Sequence, residues 1–125
     1  QRRFSKVSWN TKINVETLTL DDLIRDYGPP KFCKIDVEGS EAEALAGLTY
    51  PLPSLSIEYV PARIDVAVDC LQRLSSLGIY RFNMTVGERK AFQFKEWVEE
   101  HALLDALHKF RRNDPTGDIY AALEN

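Results

Sequence analysis

The run Lys34-Ile35-Asp36-Val37-Glu38-Gly39-Ser40-Glu41 holds a short strand, a turn and the start of a helix. Successive side chains of a strand point to opposite faces, so Cys33, Ile35 and Val37 share one side while Lys34, Asp36 and Glu38 share the other. One side is core and the other is polar. Gly39 permits a turn that a β-carbon would hinder. Ser40 and Glu41 open a helix over residues 41–48, where a side-chain acceptor and early negative charge suit a helix start. The acids therefore stand at the carboxyl end of a strand, the edge of open α/β sheets where ligands bind.

Working outward, residues 12–20 alternate: Ile13, Val15, Thr17 and Thr19 lie opposite Lys12, Asn14, Glu16, Leu18 and Leu20, which predicts an extended segment. Residues 1–9 have weak periodicity and are assigned no function. Thr19 or Asp21 caps a helix over residues 22–27, which Gly28-Pro29-Pro30 ends. The central strand runs from about residue 31 to 37, and Gly47 closes the helix that follows. In residues 54–60, Leu55, Ile57 and Tyr59 oppose Ser56, Glu58 and Val60; strand, helix, strand predicts a parallel pair with a right-handed crossover.

An amphipathic helix is expected over residues 62–77 with Gly78 as its stop signal. Tyr80, Phe82 and Met84 alternate as a strand, and Val86-Gly87-Glu88-Arg89 turns into a further strand over residues 90–94. Residues 95–110 read as a helix, Asp114-Pro115-Thr116-Gly117 breaks it, and residues 118–123 form a last strand. The sum is one α/β domain over residues 1–125, a mostly parallel sheet with helices on its faces.

With 125 residues, 44% hydrophobic and 28% charged, the chain suits one soluble globular domain with a real core. A net charge of −3 excludes a general nucleic-acid binder. No apolar run approaches the roughly 20 residues of a membrane helix and no signal-peptide pattern occurs, so no membrane partner is expected. The two cysteines, Cys33 and Cys70, lack metal-type spacing and read as small buried apolar residues of a reduced, cytoplasmic protein.

The candidate chemistry lies in Asp36, Glu38 and Glu58, near the carboxyl ends of two strands and on their polar parity. With those strands adjacent and in register, Asp36 and Glu58 would stand about 5 Å apart. Such a pair titrates as a unit, one pKa rising towards that of a useful base. Lys34 is close enough to neutralise one member. Plainer roles compete: Asp36 and Glu38 as caps of the next helix, and Glu58 in a salt bridge to Lys34 rather than a ligand contact.

Glu41 and Glu43 read as a solvated helix face. Carboxylates suit hard cations, yet no histidine joins these acids. His101 and His108 are seven residues apart, roughly 10 Å along a helix, so no metal site is assigned. Tyr59, Tyr80, Phe82, Phe92 and Trp97 read as core, with Tyr59 also placed to orient an acceptor.

Three blocks then carry a resemblance. Thr17-Leu18-Thr19-Leu20-Asp21-Asp22-Leu23-Ile24, the run Lys34 to Glu41 with Leu45 and Gly47, and Ser56-Ile57-Glu58-Tyr59 resemble the second half of an FkbM-type S-adenosylmethionine-dependent methyltransferase. The resemblance implies the carboxyl half of a Rossmann-like methyltransferase fold, with its final strand inserted antiparallel. It also implies S-adenosylmethionine as cofactor and O-methyl transfer to a small-molecule acceptor, a hydroxyl of a sugar, lipid or secondary metabolite. Asp36 is then the first catalytic candidate, followed by Glu38 and Glu58, with Lys34 in electrostatic support.

The family's amino half carries a glycine-rich loop. No G-x-G-x-x-G occurs between residues 1 and 31, so no cofactor-binding residue is assigned and the chain is expected to be the acceptor-side portion. The strand at residues 31–37 would then have an unpaired edge, which predicts a homodimer through that edge or its cover by residues 12–20.

Two other classes stay open. One is a non-catalytic interaction module that keeps the fold. The other is phosphoryl transfer, because Asp36-Val37-Glu38-Gly39-Ser40 superficially resembles the Asp-x-Asp-Gly-Thr/Ser loop of haloacid-dehalogenase-type phosphatases. Glu38 replaces the second aspartate of that loop, and its later lysine and paired aspartates are not recognisable.

Overall fold

The alternation around Cys33 and Ile35 does build a strand, and its neighbours assemble into one sheet. The computed structural model describes Val7–Ser8, Lys12–Ile13, residues 19–36 and residues 39–124. Among these residues six strands form a sheet: β1 (Val7–Ser8), β2 (Lys12–Ile13), β3 (Cys33–Ile35), β4 (Ser54–Tyr59), β5 (Tyr80–Val86) and β6 (Gly117–Leu123). Their spatial order is β2-β1-β3-β4-β6-β5. The helices are α1 (Leu20–Tyr27), α2 (Glu41–Ala46), α3 (Ile64–Leu77) and α4 (Glu100–Leu107), with a 3-10 turn at Pro61–Arg63.

The expected parallel pair exists: β3 and β4 are joined in parallel, with Lys34 opposite Ser56 and Ile35 opposite Ile57. The expected antiparallel last strand exists as well. The sheet as a whole is nevertheless mixed and mostly antiparallel, contrary to the reading of a mostly parallel sheet. The cause is strand order. β5 runs in the same direction as β4, but β6 lies between them and pairs antiparallel with both. On the far side β1 pairs antiparallel with β3. Repeated strand–helix–strand order predicts direction, whereas pairing depends on which strand is inserted where.

The free edge of β3 is taken by Val7–Ser8, earlier in the chain than the segment expected to cover it. Of that segment Lys12–Ile13 pairs with β1, and residues 14–18 lie outside the described residues.

Each helix has a local cause. Thr19 caps α1: the Asp22 N–H donates to its hydroxyl and the Thr19 N–H donates to the Asp22 carboxylate, a reciprocal capping box. The Leu45 carbonyl of α2 and the Leu48 carbonyl just beyond its end accept from the Arg73 guanidinium of α3, at 3.2 Å and 2.6 Å. Leu71 and Leu74 of α3 and Leu103 and Leu107 of α4 are wholly buried with Ile35, Leu55, Ile57, Phe82 and Met84 in one core. Each such aliphatic side chain stabilises the fold by roughly 1.5–3 kcal/mol. The helices thus cover the apolar parity of the strands, and the opposite parity carries polar side chains. No helix among the described residues is long and apolar enough to cross a membrane.

Two expected elements differ. Residues 90–94 form no strand. The buried Asn83 side chain stands in for a strand partner, accepting from the Phe94 N–H at 3.1 Å and donating to the Phe94 carbonyl at 3.0 Å. Val98 then bridges to Phe82 in extended form, so the helix expected from residue 95 begins only at Glu100.

Candidate functional site

At the carboxyl ends of β3 and β4 the polar parity of the sheet closes around a pocket of about 190 Å³ lined by Lys34, Ile35, Asp36, Ser56, Glu58 and Asp118. Three of the four residues singled out from sequence meet here. The fourth, Glu38, lies outside the described residues. Register supplies the reason: Glu58 faces Asp118 directly across the β4–β6 pair, and Asp36 is the residue after the Ile35–Ile57 pairing.

Asp118 went unseen as a site residue because its own neighbourhood only announces a strand after a Pro-Thr-Gly turn. Its partner across the sheet gives it meaning. The one available signal was its place at the carboxyl end of neighbouring β4, on the same parity as Glu58.

The electrostatics are those of crowded acids. The Glu58 carboxyl lies above its ordinary range, first because it is partly buried, then because Asp36, Asp118 and Glu41 are negative around it; a hydrogen bond with Thr116 opposes the shift. Asp118 is also raised, by burial and by Asp36, with Lys34 pulling the other way. Lys34 therefore compensates Asp118, and the suggested salt bridge from Lys34 to Glu58 is replaced by the Thr116 contact. These acids influence one another without converging: among the described residues no three metal-ligating side chains are grouped to hold one ion.

The turn between β3 and α2 brings Glu41 to the site. Gly39 has φ +93°, the left-handed region its lack of a side chain allows. Its N–H donates to Glu41 Oε1 at 3.0 Å, and Glu41 is 3% exposed, so Glu41 belongs to the interior rather than to a solvated helix face. Glu43 is exposed as expected. Ser40 occupies the N-cap position of α2, yet its side chain makes no capping bond, contrary to the sequence reading.

Tyr59 is likewise corrected. It sits on the apolar parity at 1% exposure, donates its hydroxyl to the Thr85 carbonyl at 2.9 Å and packs against Phe110, so it anchors the sheet rather than an acceptor. Cys33 and Cys70 are free and buried; burial pushes the Cys33 thiol up to about 12 and raises that of Cys70 too, which makes both poor nucleophiles. His101 and His108 are exposed, at α4 and its carboxyl end.

Of the five aromatic residues read as core, Tyr59, Tyr80 and Phe82 are buried, whereas Phe92 and Trp97 are 46% and 38% exposed. They stand on the arm between β5 and α4, above the polar parity of the sheet. Alternation marked the buried three; Phe92 lies in the strand expected over residues 90–94, which does not form, and Trp97 lies ahead of α4 rather than within it.

Compared with known proteins, the chain matches the family model described as the methyltransferase FkbM domain over residues 1–114. No curated protein and no solved structure gives a significant match.

Proposed function

The chain belongs to the methyltransferase FkbM family, and we propose that it forms the acceptor side of an S-adenosylmethionine-dependent O-methyltransferase in which Glu58 takes the proton of the acceptor hydroxyl. The observation that carries the reading is the placement of Glu58 with Asp36 and Asp118 in one pocket at the carboxyl ends of β3 and β4, where burial and neighbouring negative charge raise its carboxyl. A base working near neutral pH needs an affinity for protons above that of an ordinary carboxylate, and burial beside like charge supplies it. The order β3-β4-β6-β5, with β6 inserted antiparallel, supports a Rossmann-like methyltransferase fold.

Bound S-adenosylmethionine supplies an electrophilic methyl group on a sulfonium. Several carboxylates around one small pocket fit a cation at its mouth. At about 190 Å³ the pocket is smaller than the roughly 300 Å³ of a complete small-molecule site, so it fits a reacting centre rather than a whole nucleoside.

In this arrangement the acceptor oxygen lies against Glu58, which removes its proton as the oxygen becomes nucleophilic. Asp36 keeps the field at the site negative and holds the Glu58 proton affinity up. Lys34 opposes the rise at Asp118, which burial and Asp36 produce.

Replacing Asp36 with Asn should suppress methyl transfer while leaving the fold intact, read as turnover beside near-ultraviolet circular dichroism. Unfolding instead would make its role structural. Calorimetric titration with S-adenosylhomocysteine tests the class itself. Saturable binding by this chain joined to a glycine-rich amino half of the family, weakened in Asp36→Asn, supports a methyltransferase; no binding by that longer protein when folded would favour a non-catalytic module of the same fold.

A further inference from the structure

We propose that the concavity beside the acidic pocket is the acceptor subsite and that it takes a sugar ring carrying a phosphoryl or carboxylate group; this rests on the methyltransferase reading of the acidic pocket. The concavity measures about 550 Å³ and is bounded by Glu88, Arg89, Lys90, Phe92, Asp118 and Tyr120. That volume lies within the roughly 300–1,000 Å³ of small-molecule sites. Asp118 lines both cavities, so a ligand seated here extends to the carboxylates. Ser56 and Tyr120 are also cross-strand partners, which places the two cavities on one face of the sheet.

Three features converge on one ligand chemistry. The first is an aromatic surface held in place. Phe92 stands edge-on to Trp97 at 5.3 Å and to Tyr120 at 5.2 Å, yet it remains 46% exposed. Its arm is tied to β5 through the Asn83 side chain and through the Gln93 N–H, which donates to the Met84 carbonyl at 2.7 Å. A rigid exposed aromatic cluster suits the apolar face of a ring.

The second feature is positive charge. Arg89 and Lys90 are exposed, and among the described residues no ion pair occupies either of them, whereas Arg25, Arg63 and Arg81 are all paired. A guanidinium beside an ammonium recognises phosphate or carboxylate. The third is a set of hydrogen-bond acceptors for hydroxyl groups, the carboxylates of Glu88 and Asp118. Ring face, hydroxyls and an anion together describe an anionic sugar. A cationic ligand would meet Arg89 and Lys90, and a neutral one would leave them unused.

Calorimetric titration of the 125-residue chain with glucose-6-phosphate, glucuronate, glucose, inorganic phosphate and adenosine monophosphate tests this. The anionic sugars should bind at least about tenfold more tightly than glucose, the scale of one charge-assisted hydrogen bond. The double variant Arg89→Ala/Lys90→Ala should abolish that preference. Phe92→Ala should weaken sugars of both kinds, and all three positions are exposed, so the fold should persist.

Equal binding of glucose and glucose-6-phosphate, no binding of either, tighter binding of inorganic phosphate or adenosine monophosphate, or indifference to Phe92→Ala would each overturn the proposal. S-adenosylhomocysteine, titrated separately into this chain joined to a glycine-rich amino half of the family, keeps the two readings apart. Its binding without that of an anionic sugar removes only the subsite. The reverse pattern upholds an anionic-sugar site and removes the methyltransferase reading.

Discussion

Gly117→Ala is expected to destabilise the folded chain by about 3 kcal/mol, the upper end of overpacking costs. Gly117 begins β6 between Tyr59 of β4 and Val86 of β5. A β-carbon there would clash with the Thr85 carbonyl oxygen and lie 2.6 Å from the Tyr59 hydroxyl. Tyr59 donates its hydroxyl to that same carbonyl. The side chain has little room to yield, since it is buried against Phe110, and the carbonyl belongs to the β5–β6 ladder.

Tyr59→Phe removes the hydroxyl and one of the close contacts, at the cost of about 1 kcal/mol for the lost hydrogen bond. It should not rescue Gly117→Ala, because the nearest obstacle is backbone. Urea melts of the two single variants and the double variant check this. Wild-type stability in Gly117→Ala would contradict the packing. The consequence reaches the site, since Asp118 follows Gly117 and its N–H donates to the Thr85 hydroxyl.

Glu58→Gln is expected to act in opposite directions on activity and stability. As the proton acceptor, Glu58 should account for about 10²–10⁴-fold in turnover, the usual worth of a positioned base. The same carboxylate faces Asp118 across the β4–β6 pair. Like charges directly opposite are unfavourable, so the amide should raise stability at neutral pH by about 0.5 kcal/mol.

The pH dependence follows from the direction of the shifts. Glu58 and Asp118 both bind their protons more tightly in the folded chain than ordinary carboxyls do. Their contribution therefore favours folding below the unfolded-state pKa and is lost as pH rises through the folded one. Wild type should gain stability relative to Glu58→Gln as pH falls through the carboxylate range. Turnover should rise with pH over a limb lying above the ordinary glutamate value. Asp118→Asn should move that limb down. Thermal melts and pH–rate profiles of the three proteins measure both effects, and a Glu58→Gln protein with full turnover would remove the assigned role.

What was legible in the sequence was set by local parity. Cys33 and Ile35 against Lys34 and Asp36, and Leu55, Ile57 and Tyr59 against Ser56 and Glu58, fixed two strands, their faces and the meeting of Asp36 with Glu58. Thr19 with Asp22 likewise announced the start of α1. What was not legible arises between distant segments. The position of β6 between β4 and β5 made the sheet mostly antiparallel and delivered Asp118 to the site. Glu41 reads as an exposed helix residue until the Gly39 turn folds it inward. Asn83 replaces a strand with its own amide, which no period of two can reveal, and so the arm that exposes Phe92 and Trp97 reads from sequence as a strand, the start of a helix, and core.

The proposed chemistry requires Glu58 to be the acid whose proton affinity its neighbours raise, and a site-resolved carbon-13 NMR titration of its side-chain carboxyl measures that directly. The prediction is a Glu58 midpoint above that of an ordinary glutamate, falling in both Asp36→Asn and Asp118→Asn. A midpoint at or below the ordinary value, unmoved by either substitution, would contradict it.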